Sequence, residues 1–397
     1  MSYLRQTLGC IAANGLPRTP APRLTLPKPE PTMHTIARTP SHLSPNHSAS
    51  PTFESIGFEL GWDHAHFRVS LPAPYAQEPS PLRSGLLAGQ AAFGTRTLAA
   101  TRHVRKWLQL RLNAWLRGRS VELFQVTPNH LQQIDASHCP ITRVALSSAT
   151  LEATDASVDR VRNDAGYAAG NLAVMSTKAN HAKGACGLRD ALQRIQQIEA
   201  EQLPGLDGLT APQWARVAVL CSFVEPVPHD EACALPMLLL PPNRLRLFNP
   251  VQALQAFVSR QLLTPGWSQR LSRFEDLLAG KPLKRDFKAF FMALLPRVLE
   301  AGKLADAPHT RWAIEDAWRS PLVQQRWARF ARQLTAAQCE ALLAKAAARR
   351  LCSATVVPMS DARATEGWNL PTRGYVAHAD GAMQQPPDAA QRELALY

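Results

Sequence analysis

The chain has 397 residues, 46% of them apolar, and a formal net charge of +13. That length accommodates two or three domains with ordinary cores, and no apolar run approaches the ~18 residues needed to span a bilayer. Seven scattered cysteines (Cys10, Cys139, Cys186, Cys221, Cys233, Cys339 and Cys352), with no Cys-x-x-Cys pair among them, argue against a disulfide framework and a zinc ribbon and favour a reducing cytoplasm.

Charge is uneven along the chain: +4 over residues 1–52, +3 over 53–135, zero over 136–203 and +6 over the remainder. A polyanion is the natural partner of basic segments flanking a neutral middle. Residues 1–52 are rich in Pro, Ser, Thr and His, lack periodicity and contain one acid, Glu30. They read as a disordered leader. Leu8 to Ala13 is too short for a secretory apolar region, and Met33 offers an alternative start.

Ordered structure is expected from near Phe53. Ile56 to Trp62 alternates loosely and reads as a strand, which would turn His64 and His66 to one side; without further donors nearby they read as packed or surface histidines. Pro72 to Pro81 reads as a loop. From Leu86 to Arg119 runs a helical pattern in which Val104, Trp107, Leu108, Leu112, Trp115 and Leu116 form one apolar stripe. Arg102, Arg105, Lys106, Arg111, Arg117 and Arg119 accompany it with no acid between them. Such a helix either presents cations to phosphate or simply carries a solvated basic face. Thr127-Pro128 reads as an N-cap followed by proline at the first helical position, opening a short helix to Ile134.

The middle of the chain is the most informative. His138-Cys139-Pro140-Ile141-Thr142 leads to Val158-Asp159-Arg160-Val161, then a polar loop with Asn163-Asp164 and Gly166 as turn residues. A second apolar piece, Leu172 to Met175, enters a helix carrying Lys178, Asn180 and Lys183. The order is strand, loop, strand, helix.

These residues, with Gly166-Tyr167, Gly170-Asn171-Leu172 and Asn180-x-x-Lys183, resemble the ββα-metal finger of the HNH nuclease superfamily over about 45 residues. The fold expected is therefore mainly α with a small β-hairpin, the finger being flanked by helices and followed by an all-helical C-terminal region. The resemblance implies one divalent cation, Mg²⁺ or Mn²⁺, held by Asp159 and Asn180, with Asn171 bracing the loop by side-chain hydrogen bonds. It also implies a nucleic-acid substrate, with double-stranded DNA expected. Lys178 and Lys183, with Arg102, Arg105, Lys106 and Arg111, would contact the substrate backbone.

This chain departs from the pattern at Arg160, where typical members carry the histidine that acts as general base. A guanidinium cannot accept a proton, although it could face the scissile phosphate. His138 is the better substitute base, His181 the weaker. The readings are thus a metal-dependent endonuclease, a non-catalytic nucleic-acid binder on the same scaffold, or a helical interaction protein with an accidental resemblance.

After Gly184 the pattern is helical. Leu188 to Ile198 forms a stripe, Thr210 to Gln213 has capping-box spacing and opens a helix towards Val224, and Pro226 to Pro242 reads as a packed connection. Helices follow near 250–263, 268–279, 284–301, 309–318, 321–333 and 335–350, with Trp267, Trp312, Trp318 and Trp327 read as core. The expected divisions are a leader at 1–52, a nuclease-like domain at 53–205, a helical domain at 206–352 and an irregular tail at 353–397.

Overall fold

Caps and prolines fix where most helices begin. Thr127 Oγ1 accepts from the His130 backbone N–H at 3.2 Å, and the Gln213 side-chain oxygen accepts from the Thr210 N–H at 3.0 Å. Each satisfies a donor that a helix start would otherwise leave unmade. The computed structural model describes residues 53–301, 307–351 and 374–375; the leader lies outside them, as does the tail apart from Gly374–Tyr375.

In chain order the first elements are α1 (Phe53–His66), α2 (Ala73–Gln77), α3 (Pro81–Phe93), α4 (Arg102–Leu116), β1 (Val121–Glu122) and α5 (Pro128–Ile134). Then come β2 (Ala156–Arg160), β3 (Leu172–Ser176), α6 (Thr177–Lys183), α7 (Leu188–Ala200), α8 (Ala211–Ser222) and α9 (His229–Ala234). The series closes with α10 (Pro250–Gln261), α11 (Trp267–Glu275), α12 (Lys281–Ala301), α13 (Ala307–Ala317), α14 (Pro321–Ala331), α15 (Ala336–Ala348) and β4 (Gly374–Tyr375). The protein is mainly helical with a small antiparallel β2–β3 pair; β1 pairs antiparallel with β4. Among the described residues, no helix is long and apolar enough to cross a membrane.

Two expectations near the start are corrected. Residues 56–62 lie within α1 rather than in a strand, because α1 and α3 pack closely through Gly61 of the first and Gly85 and Gly89 of the second, while Gly57 makes room for the Trp115 ring. A Cβ on Gly61 would stand 1.9 Å from the Leu82 carbonyl oxygen, and one on Gly85 1.9 Å from that of Phe58. The pattern expected to run from Leu86 to Arg119 is broken between α3 and α4, where Gly94 caps α3 with a φ of +54°. Short helix α2 occupies a segment expected to be a loop, and α9 lies within the expected packed connection.

All five residues of β3 are buried, and they alternate between two cores. Leu172 and Val174 pack with Leu108, Leu112, Trp115 and Leu131. Ala173 and Met175 face a larger core built by the C-terminal helices, with Trp214, Trp318 and Trp327 at its centre. A strand covered on both sides reads as a continuous apolar run, as Leu172 to Met175 does. The larger core runs from Cys139 to Leu351, and the described residues all fall in one compact unit.

Candidate functional site

Strand β2 pairs with β3 so that Ser157 lies opposite Met175 and Asp159 opposite Ala173. Side chains two apart on a strand share a face, so Ser157 and Asp159 look towards the larger core, as Ala173 and Met175 do. Helix α6 returns over this face with Asn180 and Lys183 three residues apart on one side of the helix. The Asn180 side-chain amide donates to Ser157 Oγ at 2.7 Å. Lys183 Nζ lies 3.0 Å from Asp159 Oδ2 and donates to the Arg160 carbonyl at 3.2 Å.

This pair is sealed: Lys183 is 0% exposed and Asp159 5%. Burial pushes the Asp159 carboxyl above its usual range, against the pull of the Lys183 ammonium and the Arg160 guanidinium. The Asp159 charge is answered by the Lys183 ammonium at Oδ2. Cys221 of α8 lies close enough to feel both charges, and burial pushes its thiol up to about 12.

The loop between the strands is held by two of the expected residues. Asn171, 0% exposed, accepts from the Arg162 N–H at 2.9 Å and donates to the carbonyls of Arg162 and Gly166, each at 3.0 Å. Arg160 turns into the same loop, donating to the carbonyls of Asn163 and Ala165 at 3.1 and 3.4 Å. Its guanidinium carbon sits 5.1 Å from the Tyr167 ring centroid. Burial lowers its pKa from the usual guanidinium range.

The structure places the expected residues as follows. Arg160 is engaged in closing the loop. Lys183 is buried against Asp159 and does not reach a substrate. Arg111 is 4% exposed, ion-paired to Asp63 and stacked 4.3 Å from the Trp107 centroid. Lys106 donates to the Ala156 carbonyl at 2.8 Å, which ties α4 to the start of β2. His138 packs edge-on to Trp312 of α13 with Nδ1 3.0 Å from Ser137 Oγ. Arg102 lies on the surface, 3.4 Å from Asp135. Arg105, Arg117, Arg119, Lys178 and His181 are exposed. Lys178 and His181 border an open depression of about 440 Å³ with Ala153, Thr177, Ala182 and Asp207.

The residues present do not fit a resident divalent cation. Mg²⁺ or Mn²⁺ takes several oxygens and keeps room for water. Here the one carboxylate is sealed against an ammonium, which would repel a second cation at the same place, and the amide of Asn180 is directed at Ser157. The sequence reading missed Ser157, although a spacing of two from Asp159 on a strand faces it the same way, just as a spacing of three does for Asn180 and Lys183 on the helix. It also missed Glu225, whose carboxylate accepts from the Leu188 N–H at 2.9 Å and so holds the start of α7. No family model, curated protein or solved structure matches this chain.

Proposed function

We propose that the chain is a nucleic-acid-binding protein that keeps an HNH-like ββα scaffold without its metal chemistry. The observation that carries this reading is the Lys183 ammonium buried on Asp159: a lysine charge stands where the resemblance implies a metal. The net charge of +13 and the exposed Arg105, Arg117, Arg119 and Lys178 supply the attraction to phosphate. Binding of this kind weakens steeply with salt because condensed counterions are released.

Retention of DNA by the full chain, measured over a salt series, tests the binding. Plasmid incubated with Mg²⁺ or Mn²⁺ tests the chemistry. The expected outcome is salt-sensitive binding with no nicking, in the parent chain and equally in Arg160→His, since that position faces the loop. Nicking that disappears in Asp159→Ala would restore the endonuclease reading, and indifference to DNA at every salt concentration would leave a helical interaction protein.

A further inference from the structure

We infer that the turn at Leu123 to Gln125 is a stacking site for an unpaired base of a single-stranded nucleic acid. Phe124 is the most exposed large apolar side chain among the described residues, at 73%. It does not sit on a loose loop. The turn is anchored at both ends by Val121 and Val126, each 0% exposed. Inside it the carboxylate of Glu122, 1% exposed, accepts from the backbone N–H groups of Phe124 and Gln125 at 2.7 and 2.8 Å. The Val126 carbonyl accepts from Trp107 Nε1 at 2.8 Å. A buried carboxylate has thus been spent on holding an aromatic ring out in water.

One cation touches the turn. Arg246 donates to the Gln125 side-chain oxygen at 3.4 Å after its stem crosses Gly170, where a Cβ would stand 2.2 Å from its Cγ. Arg244 and Arg246 both act on buried His130, at the start of the neighbouring α5. Arg119, exposed, precedes β1. A fixed, solvent-facing ring beside guanidinium groups is the arrangement that stacks a base while its phosphates are neutralised. A duplex keeps its bases stacked inside, so the ring favours an unpaired strand.

This inference rests on the nucleic-acid reading above, and the test separates the two. Affinity of the full chain for a labelled oligothymidylate of about 12 nucleotides is measured by anisotropy over a salt series, with a blunt duplex alongside. Phe124→Ala is expected to weaken single-strand binding about tenfold, leaving the salt slope, the duplex affinity and thermal melting unchanged. Phe124→Tyr keeps parent affinity. Arg244→Asn, which suits that residue's φ of +63°, lowers the salt slope by about one. Parent-like single-strand affinity in Phe124→Ala overturns the stacking site and leaves the binding reading standing. Absence of any binding by the parent chain removes both.

Discussion

Replacing Lys183 by Met while Asp159 stays a carboxylate strips a buried charge of its ion-pair partner. Leaving one member of such a pair alone costs about 3–5 kcal/mol, whereas exchanging both for apolar groups is often neutral. Lys183→Met is therefore expected to lose about that much stability in urea denaturation, and the Lys183→Met, Asp159→Leu double variant to recover most of it. A double variant no better than the single one would mean that the two side chains are not energetically coupled.

His130 gives a second expectation at this scale. It is 8% exposed, and burial, with Arg244 and Arg246 adding to it, lowers its pKa from 6.5 to about 4. The unfolded chain therefore binds the extra proton between those values. Stability should fall as pH drops from about 6.5 towards 4, by up to about 3 kcal/mol, and this component should be flat on either side. A His130→Gln variant followed over the same range should lack that slope. The loop-bracing role of Asn171 was legible in the sequence, and its hydrogen bonds to Arg162 and Gly166 meet it. The pairing of Lys183 with Asp159 was not, because a lysine and a metal answer a carboxylate alike and spacing does not say which is present.

Among the elements, caps and breakers were the legible part. Thr127-Pro128 and the Thr210 box mark helix starts in the sequence, and hydrogen bonds at 3.2 and 3.0 Å close them. The strand–loop–strand–helix order was also readable, because Leu172 to Met175 is an uninterrupted apolar run. Helix α1 was not readable. Its Gly57 and Gly61 among large apolar residues imitate strand alternation, and what those glycines make room for, the Trp115 ring and the α3 backbone, lies more than twenty residues downstream. Gly61→Ala is accordingly expected to destabilise by about 1–3 kcal/mol or more, since its methyl would meet backbone that cannot step aside. Gly94→Ala meets nothing within 4 Å and carries only the cost of its left-handed φ, about 1 kcal/mol. Midpoints of urea unfolding for the two variants check the order.

For the molecule as a whole, β3 is the shared wall of two cores, so the segment that resembles a nuclease finger forms part of the interior of a larger helical body. Its Asp159 face is covered by α6 and neighbours α8, which no local pattern in residues 157–184 announces. The melting temperature of the full chain is expected to be the same in EDTA, Mg²⁺ and Mn²⁺; a rise of several degrees with Mn²⁺ would indicate a cation site in the folded chain. Because the positive charge on Asp159 is borne by the chain itself, it is present at an effective concentration fixed by the fold. It can be neither diluted nor chelated, so the Asp159 carboxylate keeps its counter-charge at any free-ion concentration.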